Sequence, residues 1–370
     1  LGLLLIVGML YLTNLFFSKP ISLDHYLAKE LILEMKDSPE SLTYLGVFDR
    51  FNWLTNHQSE FSITGLSDIE EDLINAKKSK KLILSYKNDS LSEQQRITKE
   101  IAIFDISNFI KETEEFPFHS YPLNQIGGIH LNAVEFMTDV HPIRNVKEAE
   151  AYIDRLNLFD DSFKATLEIL EAQKKSGIFP PKFVFDHVIR QLEEFLNYKQ
   201  VENPLRTVFL RKIEDLNLDS EVSRDLITRL DSSLENSVNP GFKLLYNFVN
   251  ETKTKANQNH GVWSLPNGDE FYALRLKFYT TTDYSAEEIH NIGLSEVKRI
   301  TKRMQEIAFD LGYAVQVNVG QLMNELNEDP KFLYADTPER KDEVVKDYNS
   351  IVEETWKIAG EYFHKMPRSK

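Results

Sequence analysis

Helix-capping signals followed by apolar residues at helical spacing recur along this 370-residue chain and constrain its fold more than any other feature. Ser92 and Ser285 each stand three residues before a Gln or Glu that can return a hydrogen bond to the capping residue. After Ser285, apolar side chains keep helical spacing as far as Leu311, and Gly312 ends the run. The sequence therefore predicts a mostly α fold, a multi-helix elongated body or two lobes.

Four segments give less regular signals. Residues 239–241 (NPG) read as a break between helices, and residues 337–340 (TPER) predict the start of the last helix with proline in its first turn. Residues 271–279 and 314–319 are short apolar runs that each fit a strand. Strand signals are otherwise scarce, so the mostly α prediction does not depend on them.

The first 17 residues (LGLLLIVGMLYLTNLFF) form an almost unbroken apolar run. A membrane-spanning helix needs about 20 such residues and a signal-peptide core about 7 to 15. No small-residue cleavage site follows, and the chain has no cysteine to carry a lipid. We expect residues 1–17 to be a membrane anchor, incomplete at its start, with residues 18–370 as a helical domain on the periplasmic or extracellular side. A signal peptide with an atypical cleavage site is the alternative.

The charge balance excludes one class of partner. The chain carries 43 basic and 58 acidic residues, a net charge of −15, which disfavours binding to a nucleic-acid backbone. A basic cluster at residues 77–81 reads as a solvated helix face. Because cysteine is absent, any metal would need histidine and carboxylate ligands.

Strong catalytic motifs are missing from the sequence. No histidine is followed by another three or four positions later, so the HExxH zinc motif is absent. Glu287 and His290 lie one helical turn apart, which is half of a carboxylate–histidine site, but a surface carboxylate beside a structural histidine has the same pattern. The turn-rich loop at residues 257–269 carries His260 and Trp263; it reads either as a binding loop or as a turn that packs Trp263 into the core.

Several sequence blocks together resemble the bacterial family called "domain of unknown function 885". The blocks near the C-terminal end are residues 261–272 (GVWSLPNGDEFY), 280–283 (TTTD) and 288–297 (EIHNIGLSEV). The upstream blocks are residues 121–125 (YPLNQ), 138–142 (TDVHP), 151–156 (AYIDRL) and 177–181 (GIFPP). The resemblance runs from about His25 to the last residue, with Phe271 standing where the family usually has tyrosine.

This resemblance implies a zincin-like helical fold of the neurolysin and angiotensin-converting-enzyme type. It also implies a zinc-binding H-E-x-x-P-G-H-H motif beyond residue 370, so that the present chain would be the cleft wall of a zinc peptidase acting on short peptides or peptide-like amides. Within the chain it points to Tyr272, Thr281, Thr282 and His290 as substrate-binding residues or as residues that brace the zinc helix. Helix capping would account equally well for the two threonines.

Two other functions stay open: a non-catalytic peptide-binding module that uses the same cleft, and a structural scaffold of the cell envelope. The given residues are expected neither to bind zinc tightly nor to cleave peptides.

Overall fold

The computed structural model describes residues 11, 13–14, 19–256, 258–313 and 318–366. Within these ranges the chain forms helices and turns and no strand, which confirms the mostly α prediction. The chain divides into two units, Leu1–Asp283 and Tyr284–Lys370. The predicted anchor lies outside the described residues except for positions 11, 13 and 14. Among the described residues, no helix combines the length and the apolar composition that crossing a bilayer requires.

From residue 19 onward, the first unit has three helices followed by a hairpin of two more, on which the first of the three packs. These helices are α1 (Leu23–Asp37), α2 (Pro39–Leu45), α3 (Asn52–Thr55), α4 (Leu66–Leu84) and α5 (Glu93–Glu115). Leu23 and Tyr26 of α1 are buried together with Ile83 and Tyr86. The Tyr26 hydroxyl donates to Ser79 Oγ over 2.7 Å and the Tyr86 hydroxyl to the carbonyl of Pro20 over 2.8 Å. Ser92 forms the predicted capping box at the start of α5.

The main core lies among the following helices: α6 (Ile129–Glu135), α7 (Val146–Asn157), α8 (Phe159–Lys175), α9 (Lys182–Leu196), α10 (Pro204–Glu214), α11 (Ser220–Ser233) and α12 (Asn239–Thr252). α12 packs against both α8 and α9. Phe242 stacks on Phe195 with ring centroids 3.7 Å apart and meets Phe163 edge-on at 5.3 Å. These aromatic contacts fix the centre of the unit.

Two π-helical turns extend this region, Phe136–Val140 after α6 and Leu234–Val238 after α11. In the first, the His141 amide donates to the Phe136 carbonyl over 2.9 Å, a ring one residue wider than in an α-helix. The second turn leads directly into α12, which begins at Asn239 with Pro240 in its first turn. The expected break at residues 239–241 is therefore wrong, because proline is tolerated where no intrahelical N–H bond is needed.

The last helix of the first unit is α13 (Gly268–Thr280). The expected strand at residues 271–279 is wrong. Phe271, Leu274 and Phe278 recur at helical spacing; Phe271 packs against Phe116 and Phe278 stacks on Phe104, so the helical period places all three against the protein.

The second unit contains α14 (Ala286–Asp310), α15 (Val319–Glu328) and α16 (Arg340–Tyr362). Ser285 makes the predicted capping box and Gly312 follows α14 with φ of 94°, as expected for a helix stop. The last helix starts at Arg340, slightly later than residues 337–340 indicated. The strand expected at residues 314–319 falls mostly outside the described residues; Val319 begins α15.

Candidate functional site

The four residues singled out by the sequence lie in different settings. Tyr272 is 46% exposed on α13, whereas His290 is exposed on α14 in the second unit. Thr281 ends α13 in the left-handed conformation, with φ of 53°, and Thr282 Oγ1 lies 2.8 Å from Thr280 Oγ1. Both threonines therefore take part in ending a helix. Contact of any of the four with a substrate stays a prediction.

A cavity of about 310 Å³ forms in the first unit where three connecting segments meet. One segment follows α5 and contains Tyr121, another contains Pro181 directly before α9, and the third is the loop with Gly261. Each segment belongs to a block on which the family resemblance rests: YPLNQ, GIFPP and GVWSLPNG. Segments far apart in sequence thus share one pocket, which makes it the leading candidate for a binding site.

His119 fixes the loop that closes this cavity. Its Nε2 lies 2.7 Å from the carbonyl oxygen of Pro266; since a carbonyl only accepts, Nε2 carries the proton. The ring also packs on Phe116 and Phe271, with centroids 5.2 and 4.8 Å away. Nδ1 is buried and makes no hydrogen bond to another protein atom. A buried imidazole therefore joins the end of α5 to the loop before α13.

The loop at residues 261–268 is a tight structure that presents a side chain outward. The Ser264 amide and hydroxyl both donate to the Gly261 carbonyl, over 3.1 and 2.9 Å. A Cβ on Gly268 would overlap the carbonyl oxygen of Val262, so only glycine fits there. Trp263 is 70% exposed. The alternative that this turn packs Trp263 into the core is wrong, and the binding-loop interpretation agrees with the exposed indole.

Another part of the cavity wall is the turn at residues 121–127, which the Asn124 side chain stabilises. Asn124 Oδ1 accepts from the amides of Ile126 and Gly127, each over 2.9 Å, and Asn124 Nδ2 donates to the Tyr121 carbonyl over 2.9 Å. The Tyr121 hydroxyl donates to the Phe179 carbonyl, and burial raises the pKa of Tyr121 to about 12. This phenol therefore stays neutral and cannot serve as a base near neutral pH.

The rim of the cavity is aromatic. The rings of Phe183 and His260 face each other with centroids 5.0 Å apart, and both residues are exposed. Val262 and Leu265 add apolar surface. Such a lining suits an apolar or aromatic side chain of a ligand, with an imidazole at the edge to meet a polar group.

A second cavity of the first unit, about 400 Å³, lies beside Glu40 and Asn132. Glu40 already accepts from the amide and hydroxyl of Ser62, over 2.7 and 2.5 Å, and Asn132 Nδ2 donates to the Gly127 carbonyl over 3.0 Å. Its polar groups hold the protein together, so it is the weaker candidate.

Sequence reasoning did not single out the buried cluster around Arg155, although the blocks TDVHP and AYIDRL contain its residues. Arg155 is fully buried. It donates to His141 Nδ1 over 2.7 Å, to Thr43 Oγ1 over 2.7 Å, and to the carbonyls of Glu60, His57 and Pro39 over 2.7, 2.6 and 3.3 Å. The guanidinium has no carboxylate partner among these bonds; its hydrogen bonds go to neutral oxygens and an imidazole, while the charges of Glu40, Asp49 and Glu60 also favour its charged form.

Burial changes the proton affinity of this cluster. It lowers the pKa of Arg155 to about 10, which still leaves the side chain charged at neutral pH. Burial and the adjacent Arg155 charge lower the pKa of His141 to about 3, and the His141 Nε2–H donates to the Glu148 carbonyl over 3.2 Å. The cluster links residues 39–60, the N-terminal segment, to α7. It does not supply an acid or a base.

The described residues do not fit the zinc ion that the resemblance implies. Among residues 19–256, 258–313 and 318–366, no three His, Asp or Glu side chains come together as a metal site would require. Glu287 and His290 are both exposed on α14. No step through a metal is therefore assigned to the residues of this chain.

Comparison with solved structures supports the fold. The chain is similar to a protein from Colwellia psychrerythraea described as a putative lipoprotein, with 22% identity and a TM-score of 0.77 over 90% of this chain and 60% of that one. It is also similar to a protein from Shewanella oneidensis described as a putative lipoprotein of unknown function, with 12% identity and a TM-score of 0.55 over 89% of this chain and 59% of that one. The chain thus spans about 60% of the length of these relatives. At these identities the likeness concerns the fold alone.

No curated protein matches the chain. Residues 39–370 match the sequence profile of a family described as bacterial protein of unknown function, DUF885. The match covers most of the chain and includes the three blocks that surround the cavity. The chain therefore belongs to the bacterial DUF885 family.

Proposed function

We propose that this chain forms the N-terminal helical cleft wall of a membrane-anchored, extracytoplasmic zinc peptidase that acts on short peptides or peptide-like amides. The observation that carries the proposal is the meeting of three family blocks around one cavity of about 310 Å³. The zinc motif and the zincin-like active site belong, in this proposal, to sequence beyond residue 370. The residues present here bind and orient the ligand.

Two features support the proposed location. The first 17 residues are almost wholly apolar, and the similar solved proteins are described as putative lipoproteins, a class attached to membranes. We assign the attachment to the apolar run at residues 1–17.

The proposed ligand chemistry follows from the cavity. Phe183, Phe271 and Val262 offer apolar contacts, and His260 stands at the rim. A blocked tripeptide with one central phenylalanine fits this lining, because the ring can stack on the aromatic wall and the flanking amides can stay at the mouth.

A non-catalytic peptide-binding module is the second candidate, because the cavity needs no reacting group to hold a peptide. One experiment separates the two. Binding of blocked Ala-Phe-Ala and Ala-Ala-Ala to the complete gene product is measured by calorimetry, and cleavage of the same peptides in the presence of zinc by mass spectrometry.

We expect Ala-Phe-Ala to bind more tightly than Ala-Ala-Ala, and Phe183→Ala to weaken its binding about 5- to 10-fold, the equivalent of roughly one aromatic contact. Tyr198→Ala is the matched control, since Tyr198 and Phe183 are both 39% exposed and Tyr198 lies outside the cavity. Binding without cleavage would contradict the peptidase and favour the non-catalytic peptide-binding module. Equal binding of the two peptides, or no effect of Phe183→Ala, would remove the cavity from either function.

A further inference from the structure

A short segment of the first unit exposes an unusual number of large apolar side chains. We call residues 44–54 the apolar loop; it includes the end of α2, a 3₁₀ turn at Asp49–Phe51 and most of α3. Its exposed apolar side chains are Tyr44, Leu45, Val47, Phe48, Phe51, Trp53 and Leu54, with Trp53 80% and Tyr44 76% exposed. Single exposed apolar residues are common, but a run of this density marks a surface that meets another apolar phase.

The apolar loop cannot turn these side chains inward, because its base is fixed on both sides. Arg155 binds Thr43 Oγ1 and the Pro39 carbonyl before the loop, and the carbonyls of His57 and Glu60 after it. Gly46 and Asn56 have positive φ, 64° and 51°, and turn the chain near either end. One buried guanidinium thus holds the loop in place with its apolar side chains outward.

The loop also lacks free negative charge, in a chain whose net charge is −15. Its only carboxylate, Asp49, is 13% exposed; Oδ2 pairs with Arg144 over 2.5 Å and Oδ1 lies 3.4 Å from His57 Nε2. Arg50 is exposed. Aromatic side chains, aliphatic side chains and one exposed arginine form the composition that enters the headgroup region of a bilayer.

Helix α1, which precedes α2 and the loop, also exposes apolar side chains. On α1, Ala28, Leu31 and Ile32 are exposed and Met35 is half-buried. Their spacing of i, i+3, i+4 and i+7 places them in one stripe along the helix. An exposed apolar stripe therefore lies, in sequence, between the apolar run at residues 1–17 and the apolar loop.

We propose that the apolar loop inserts into the lipid surface of the membrane and fixes the orientation of the first unit on it. This inference rests on the proposed membrane attachment. A bilayer is favoured over a protein partner because the loop exposes Trp, Tyr and Phe beside an arginine, a composition typical of membrane interfaces, and because the apolar run at residues 1–17 precedes it in the same chain. A tether alone would leave the unit free to tumble, whereas a second contact point would not.

The test uses the full chain in phosphatidylcholine–phosphatidylglycerol vesicles. Residues 1–370 contain three tryptophans, so a protein of these residues with Trp263→Phe and Trp356→Phe keeps only the Trp53 indole. Lipids brominated about 5–10 Å below the interface should then reduce the Trp53 emission about twofold or more, since interfacial side chains reach that depth. The matched control is Trp53→Phe with Trp356→Phe, which leaves Trp263, 70% exposed in the same unit, and should show no such loss.

A second variant tests the loop itself. Phe51→Ser with Leu54→Ser, added to the single-Trp53 chain, should abolish the quenching while the chain still floats with the vesicles. Both side chains are more than half exposed, so the helical circular dichroism should not change.

Flotation separates the two proposals. A chain that floats but whose Trp53 is not quenched by bromolipid would overturn insertion of the apolar loop and leave membrane attachment standing. Shielding of Trp53 from aqueous iodide without quenching by lipid would show that a protein surface covers the loop, which also overturns the proposal. A chain that does not float would overturn both.

Discussion

Arg155 donates a hydrogen bond from Nη1 to His141 Nδ1 over 2.7 Å, so the buried imidazole must keep that nitrogen unprotonated. The same guanidinium holds four oxygens that belong to the N-terminal segment. One side chain, Arg155, therefore affects three properties of the first unit. They are its stability, the pH range in which it is folded and the position of the apolar loop.

Replacing Arg155 by lysine should destabilise the chain by about 3 kcal/mol, because an ammonium group cannot reach all of these acceptors and buried ones among them, such as Thr43 Oγ1 and the His57 carbonyl, lose their partner. Urea unfolding followed by circular dichroism measures the loss. Arg229→Lys is the control: Arg229 is 41% exposed and pairs with Glu150 over 3.4 Å, so its replacement should cost little. Equal stability of the two variants would contradict a central role for Arg155.

Acid should destabilise the folded chain through His141. Its folded-state pKa of about 3 lies below the value of about 6.5 expected when unfolded, so only the unfolded chain takes up this proton as the pH falls from about 6.5 to 3. Stability is therefore fully present above about pH 6.5 and declines below it. Buried His130, with a pKa of about 4, adds to the same trend.

His141→Asn should flatten this dependence, because Asn Oδ1 can accept from Arg155 without titrating. The measurement is the urea midpoint between pH 7 and pH 4 for parent and variant. His187→Asn, at an exposed histidine on α9, should keep the parent slope. If the His141 variant keeps that slope as well, another group governs the acid response.

Gly268→Ala should disrupt the loop that closes the candidate site. The added Cβ overlaps the Val262 carbonyl, and relieving such overpacking costs about 1–3 kcal/mol. Hydrogen exchange at residues 261–268 should become faster. Gly293→Ala in α14 meets no atom within 4 Å and should instead stabilise its helix by roughly 0.5–1 kcal/mol. An unchanged exchange pattern in the Gly268 variant would show that the loop has room to adjust.

Local signals allowed much of the fold to be predicted. The capping boxes at Ser92 and Ser285 and the stop at Gly312 depend on neighbours within one helical turn, and all three are present. The apolar run at residues 271–279 fits both the two-residue period of a strand and the 3.6-residue period of a helix. Only contacts with the rings of Phe104 and Phe116, distant in sequence, favour the helix. The wrong predictions of secondary structure concern segments whose conformation depends on tertiary contacts.

The candidate site was less accessible to sequence reasoning. The sequence left two interpretations of the loop at residues 257–269, a binding loop or a turn that packs Trp263 into the core. The segments that share its cavity, at His119 and Pro181, lie far from it in sequence. In the sequence Arg155 is one basic residue on an amphipathic helix, and no neighbouring residue indicates that four oxygens from residues 39–60 accept its hydrogen bonds. Contacts between residues so far apart in sequence become visible only in the three-dimensional structure.

The π-helical turn Phe136–Val140 has a consequence for comparing this chain with its relatives. Its wider ring acts as one inserted residue, and each residue turns a helix by about 100°. A homologue without the insertion aligns correctly only if a one-position gap opens within residues 136–140. Without that gap, the position assigned to His141 shifts by one, and its bond to Arg155 is lost from the alignment. Evolutionary reconstructions of this family should therefore anchor the register on His141 and place insertions or deletions before it.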